Sequence, residues 1–304
     1  MTRYAALVFN PASGRGRPKR DELDGLRKLL SRRGIDCEPQ PTSAPGHATE
    51  LAREAAGRTD VDLIIAWGGD GTLNEVVRGA LGSPLPIGIL PGGTVNVFAR
   101  EVGIPLSMIS AVDVLATGAP VAVPVGMAGG RPFLLMAGVG LDAEVVRTLD
   151  PRLKKILGTT GFWLHGFRTL ARHAFSPLVV GTEGRTLEGT SLIAGKLPRY
   201  GTGYAITPEA RLEDPWLDVV LFQGGRPRDY LRYLLGVAAG RHLGFPDVVH
   251  FKTVALEVHS DAVVYYQLDG EVAGAVPVRI EVKPGAVRFL LPCSGVVSPA
   301  SGGA

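Results

Sequence analysis

Asp70 stands inside Gly68-Gly69-Asp70-Gly71-Thr72-Leu73-Asn74-Glu75, one carboxylate among glycines. An apolar run, Val61-Asp62-Leu63-Ile64-Ile65-Ala66-Trp67, leads into it, and residues 74–81 follow with helical apolar spacing. The glycines therefore fall on a strand-to-helix turn. Glycine there permits positive φ and lets backbone N–H groups come close to a ligand. The helix that follows adds unpaired N–H groups and the positive end of a dipole. Such a turn suits phosphate, and a carboxylate beside phosphate suits magnesium, which bridges the two. The chemistry indicated is that of a magnesium nucleotide. An ordinary tight turn uses the same glycines, so agreement with other loops matters. Two exist: Asn10-Pro11-Ala12-Ser13-Gly14-Arg15-Gly16 and Pro91-Gly92-Gly93-Thr94-Val95-Asn96.

These loops are not the common nucleotide signatures. No G-x-x-x-x-G-K-[ST] occurs, and Gly14-Arg15-Gly16 lacks the third glycine of G-x-G-x-x-G. The six histidines, His47, His165, His173, His242, His250 and His259, show no zinc spacing. No G-x-S-x-G elbow supports serine-hydrolase chemistry. In the second half, Gln267-Leu268-Asp269-Gly270-Glu271 closes a β run, and Asp-Gly is also a common hairpin turn.

The elements that must position these residues alternate in the first half. Strands are expected at 5–9, 35–41, 61–67 and 85–90, and helices at 21–33, 46–56, 74–81, 97–101 and 108–116. Pro39 and Pro41 make 35–41 an edge strand. The alternation implies a mostly parallel sheet covered on both faces, with all three glycine loops at the C-terminal ends of its strands. From about Val121 the texture becomes β: runs at 121–125, 133–137, 179–182, 217–222, 254–258, 263–268, 278–282 and 287–291 suggest an antiparallel sandwich. Two helices interrupt it. Residues 229–241 carry Tyr230, Tyr233, Leu234 and Val237 on one packing face. Residues 152–175 mix Lys154, Lys155, Arg168 and Arg172 with Phe162, Trp163 and Phe167, which suits either an anionic bilayer surface or a half-buried helix with solvated cations. The tail 298–304 has the composition of a disordered segment.

Composition bounds the function classes. The 304 residues suggest two domains, and 45% hydrophobic content can build sizeable cores. A net charge of +3 argues against nucleic acid as a ligand and permits contact with an anionic membrane surface. Cys37 and Cys293 form no disulfide framework, so the reducing cytoplasm is expected. No signal-peptide h-region opens the chain, and no stretch reaches the ~18 apolar residues of a membrane span. The expectation is a cytoplasmic protein, peripheral to the inner face of the membrane.

Asn10-Pro11-Ala12-Ser13-Gly14, the 68–75 turn and Pro91-Gly92-Gly93-Thr94-Val95-Asn96-Val97-Phe98-Ala99-Arg100 together resemble the three signatures of the diacylglycerol kinase catalytic domain. The likeness is to the soluble bacterial lipid kinases of that family, and more distantly to sphingosine and ceramide kinases. GG-D-G alone is shared with NAD kinases and phosphofructokinases; the three motifs in order are far more specific. The resemblance implies an ATP-binding α/β domain over 1–122, rejoined by the C-terminal segment 292–304, and a β-sandwich over 123–291, with the active cleft between them. It implies ATP held by Asn10, Pro11, Ala12, Ser13 and Gly14, by Thr42, by Gly68, Gly69, Asp70, Gly71, Thr72, Asn74 and Glu75, and by Gly92, Gly93, Thr94 and Asn96. It makes Glu271 the base that takes the proton of the acceptor hydroxyl, with Asp269 supporting it.

Thr207-Pro208-Glu209-Ala210-Arg211-Leu212-Glu213-Asp214-Pro215-Trp216-Leu217 resembles the family's Mg2+ loop, which uses one aspartate side chain and two main-chain carbonyls. Alignment puts these at Asp214, Arg211 and Trp216. Pro215 replaces the usual glycine, fixing φ and removing a donor. Gly138-Val139-Gly140-Leu141-Asp142-Ala143 resembles a further family segment, structural at the domain junction or with Asp142 facing the cleft. The implied function is an ATP- and Mg2+-dependent lipid kinase acting on a lipid alcohol, with diacylglycerol as the favoured acceptor and phosphatidic acid as product. The alternatives are a catalytically weak nucleotide-binding regulator, suggested by the altered 213–216 loop, and an NAD kinase-like enzyme of a soluble substrate. Exposed sandwich edges allow a homodimer.

Overall fold

The computed structural model describes residues 2–13, 20–149, 166, 169–170, 174–199 and 203–293. The basic helix expected over 152–175 lies almost wholly outside the described residues, as do Gly14 and the tail 298–304. The chain forms two compact units, one from the N-terminus to Val125 with the segment from Pro284 onward, the other Gly126–Lys283.

In the first unit, β1 (Arg3–Phe9), α1 (Arg20–Ser31), β2 (Ile35–Pro41), α2 (His47–Ala56), β3 (Leu63–Gly68), α3 (Asp70–Ala80), β4 (Pro86–Pro91), α4 (Val97–Glu101) and α5 (Met108–Thr117) follow in order. The strands run parallel as β2-β1-β3-β4, with proline-bearing β2 at the edge. Ala5, Ala6, Leu7 and Val8 of β1 and Leu63, Ile64 and Ile65 of β3 are all fully buried, as expected of strands covered on both faces. Helix α3 starts at Asp70, four residues before the apolar spacing begins at Asn74, because the glycine turn is itself the first helical turn: Leu73 N donates to Gly69 O at 3.1 Å. Helices α2 and α3 touch at Gly79, where a Cβ would lie 2.2 Å from Thr49 O.

The second unit is a sandwich. The chain continues through β5 (Ala119–Ala128), β6 (Arg131–Phe133), β7 (Met136–Val139), α6 (Leu141–Thr148), β8 (Leu178–Thr182), β9 (Arg185–Gly189), β10 (Ser191–Gly195), β11 (Leu217–Phe222), α7 (Pro227–Ala238), β12 (Val248–Thr253), β13 (Ala255–His259), β14 (Tyr265–Leu268), β15 (Glu271–Ala275) and β16 (Val278–Leu291). One sheet has the order β12-β11-β10-β7-β14-β15, antiparallel throughout. The other pairs the first half of β16 with β13, β8 and β9. Phe133, Val139, Leu192 and Val219 meet Val180, Val258 and Ile280 in the core between them. The outer face of the first sheet is covered as well: Val220 and Phe222 pack with Val145 of α6 and Tyr230 and Tyr233 of α7.

Two strand expectations change. The run 133–137 is two strands broken at Leu134-Leu135, whose amides bond a side chain instead of a neighbouring strand. The runs 278–282 and 287–291 are one 14-residue strand, continuous through Pro284-Gly285 with Gly285 at φ 53. Its second half returns to the first unit, where Arg288 and Phe289 register against Pro86 and Ile87 of β4. Phe289 is fully buried there, its ring 4.9 Å from that of Phe98.

Candidate active site

The three glycine-bearing loops meet at the C-terminal ends of β1, β3 and β4. Asn10 N donates to Trp67 O at 3.3 Å, Ser13 Oγ to Gly92 O at 3.3 Å, and Gly92 N to Gly68 O at 2.8 Å. The glycines serve close approach and not positive φ. None of Gly68, Gly69, Gly71, Gly92 and Gly93 has positive φ, and Gly69 sits at φ −92. A Cβ on Gly93 would instead lie 2.5 Å from Gly69 Cα, and one on Gly68 would lie 2.5 Å from Thr72 Oγ1. Gly68, Gly69, Asp70, Pro91 and Asn96 line a small recess at this junction. Thr94 is exposed in the turn between Gly93 and Asn96, and Thr42 follows β2, held by Thr42 N to Phe9 O at 2.8 Å.

The polar residues of the turns build the scaffold too. Asp70 accepts from Val97 N at 3.0 Å and Phe98 N at 2.9 Å, capping the start of α4. Glu75 does the same for α2, accepting from Gly46 N at 2.9 Å and Ala48 N at 3.1 Å. Asn96, at φ 53, accepts from Gly93 N at 2.9 Å and donates to Gly93 O at 2.8 Å. Asn10 Oδ1 accepts from Ala12 N at 2.8 Å. A carboxylate has about four acceptor positions, so Asp70 keeps capacity for a further ligand, and its donor set fits a magnesium that accompanies phosphate.

In the second unit the Asp269-Gly270-Glu271 turn is pinned from three sides. Asp269, at φ 49, accepts from Leu134 N at 2.7 Å, Leu135 N at 2.8 Å and Met136 N at 3.0 Å. Gly270 N donates to Gln267 Oε1 at 2.7 Å, and Gln267 Nε2 donates to Asp142 Oδ2 at 2.6 Å. Burial pushes the Asp142 carboxyl up to about 6, against the lowering effect of the Gln267 bond. Gly138 leaves room for that carboxylate, since a Cβ there would lie 2.0 Å from Asp142 Oδ2. Glu271 opens β15 with its side chain 62% exposed, 3.3 Å from the Arg131 guanidinium.

The loop expected to hold Mg2+ is cross-linked by its own bonds and by one lysine from outside it. Asp214 Oδ2 accepts from Arg211 N at 3.1 Å, and Arg211 O accepts from Asp214 N at 3.1 Å. Trp216 O accepts from Lys196 Nζ at 3.4 Å, and the same ammonium donates to Asp214 O. Lys196 is only 2% exposed, and desolvation pulls its pKa down to about 8. Lys196 thus already supplies a cation at the Asp214 and Trp216 carbonyls, and its charge opposes a divalent cation beside it. Lys196 and the fully buried Asp218, which accepts from Glu209 N at 3.1 Å and meets His250 Nε2 at 2.5 Å, escaped sequence reasoning. The available signal was a lysine directly ending the apolar stretch Ser191-Leu192-Ile193-Ala194-Gly195.

A parallel α/β unit with converging glycine turns, joined to a β-sandwich bearing a pinned acidic turn, defines a two-unit phosphotransferase class. Comparisons with known proteins identify the family. Residues 4–128 match the model of the diacylglycerol kinase catalytic domain, and residues 136–291 that of the YegS C-terminal NAD kinase beta sandwich-like domain. A diacylglycerol kinase of Staphylococcus aureus (strain MRSA252) is 30% identical over 281 residues, covering 91% of this chain and 89% of that protein. A crystal structure from Bacillus anthracis str. Sterne superposes with TM-score 0.79 at 26% identity, covering 96% of both chains. A crystal structure of a diacylglycerol kinase from the same organism gives 0.74 at 25%, covering 95% of this chain and 97% of that one. The chain belongs to the diacylglycerol kinase family, and it is a lipid kinase that uses ATP and Mg2+ to phosphorylate a lipid alcohol. Among the described residues no helix is long and apolar enough to cross a membrane.

Proposed function

We propose that the acceptor is diacylglycerol and the product phosphatidic acid, with Glu271 as the general base. The acceptor hydroxyl gives its proton to the Glu271 carboxylate as its oxygen bonds the γ-phosphorus. The bond from that phosphorus to the ADP oxygen breaks, and ADP leaves. The 10–14 loop, Thr42, the 68–75 turn and Thr94 hold ATP, with Asp70 beside the phosphates and their magnesium. Asp269 acts through Glu271 by fixing the turn. The pinned turn carries this reading: Asp269 binds three consecutive amides, while Glu271 keeps an accessible carboxylate beside Arg131. The substrate's insolubility puts the reaction at a membrane surface, which we assign to the inner, cytoplasmic face. Two copies would pair through β12 or β15, the open edges of the six-stranded sheet.

The test offers radiolabelled ATP with diacylglycerol, monoacylglycerol, ceramide, sphingosine and a phosphatidylinositol lipid in mixed micelles. Label should enter phosphatidic acid. Glu271→Gln should cut that rate by about 10²–10⁴-fold with ATP affinity unchanged. Label in another lipid with diacylglycerol untouched refutes the acceptor, and near-normal turnover by Glu271→Gln refutes the base.

A further inference from the structure

We propose that Lys196 is a built-in cation: its ammonium stands where a divalent metal would cross-link the 211–216 loop, and the loop holds its shape without magnesium. The observations are geometric. Lys196 lies at the end of β10 and is almost wholly buried, yet its Nζ reaches the carbonyls of Asp214 and Trp216. Those carbonyls flank Pro215, whose fixed φ and missing N–H separate this loop from one built around glycine. An ammonium satisfies carbonyl oxygens with directed N–H bonds. A magnesium ion demands near-octahedral oxygens and gives up its water reluctantly. The Trp216 carbonyl would have to serve both, and the two cations would stand side by side, where like charges repel.

The tether leads to the catalytic turn. Lys196 N donates to Leu135 O at 2.8 Å, and Leu135 N donates to the Asp269 carboxylate at 2.8 Å. Thr207, fully buried, closes the other side, its Oγ1 donating to Leu197 O at 3.0 Å. One covalently held charge thus braces the loop against the 134–136 backbone, whose amides hold the Asp269 carboxylate. The inference rests on the lipid kinase reading only for the expectation that this loop holds a metal. The placement of Lys196 stands apart from it.

The test is thermal unfolding of the full chain without nucleotide or lipid, in EDTA and in excess magnesium chloride. Wild type should melt at the same temperature in both. Lys196→Met keeps the apolar stem and loses the ammonium, and should melt roughly 3–10 °C lower in EDTA. A rise in the wild-type Tm with magnesium that disappears in Asp214→Ala overturns the proposal, as does a Lys196→Met protein that melts like wild type. If Lys196→Met does not fold, the wild-type and Asp214→Ala melts still decide the question. Because nucleotide and lipid are absent, a wrong acceptor leaves these readings unchanged, and failure here leaves the acceptor assignment standing.

Discussion

Gln267 has a single workable orientation. Its oxygen is taken by Gly270 N, so its amide must donate, and Asp142 is the acceptor it meets. Desolvation of this half-buried carboxyl favours its neutral form and puts its pKa at about 6. An ordinary aspartate in the unfolded chain titrates near ~3.9. The folded protein therefore holds the proton more tightly. That stabilisation is full below the unfolded value and is lost as pH rises through about 6. Asp142→Asn copies the neutral form and still offers an oxygen to Gln267. The variant should match wild type near pH 4 and exceed it at pH 8 by as much as about 3 kcal/mol. Melts at the two pH values check this, and a variant that loses ground at pH 8 contradicts it. Asp70 carries a related lesson. Its carboxylate caps α4 as well as facing the recess, so any change there disturbs scaffold and phosphate site together.

At the scale of elements, the first unit works through two turns that touch backbone to backbone. Gly93→Ala brings a methyl group within 2.5 Å of Gly69 Cα, so the turns must part. We expect a loss of about 1–3 kcal/mol and a raised KM for ATP. Gly25→Ala is the control: it lies inside α1 with nothing within 4 Å of the added methyl, and should stabilise slightly. Equal effects of the two substitutions on KM would count against the turn's role. The parallel sheet and its loops were legible in the sequence because period and punctuation are local signals, as in Leu63-Ile64-Ile65-Ala66 before Gly68-Gly69. The reason for Gly69 was not legible, since its neighbour Gly93 lies in a different turn, far along the chain. Lys196 and Asp218 were hidden for the same reason: a buried charge declares itself only through distant partners. Strand β15 was missed because Glu271-Val272-Ala273-Gly274-Ala275 is never fully buried and shows no clean alternation.

At the scale of the molecule, the first unit depends on a segment remote in sequence. Phe289 fills its interior beside Phe98, and Gly82 N donates to Ala286 O at 2.8 Å. Removing one buried phenylalanine side chain costs about 3–5 kcal/mol, so losing the whole segment should be worse. A fragment of residues 2–125 should lack a cooperative melting transition, and one carrying 284–293 on a short linker should recover it. Calorimetry on the two fragments decides the matter. A cooperative transition in 2–125 alone would show that β16 only covers a finished sheet.

The return of β16 also sets a timetable on the ribosome. Domains usually fold in the order in which they are made, at about 5–20 residues per second. Here the first unit's last strand pairing lies beyond Lys283, while the rest of that unit ends at Val125. The intervening stretch takes roughly 8–30 s to translate at those rates. For that interval β4 waits with an open edge, and the sandwich can close before the unit that precedes it.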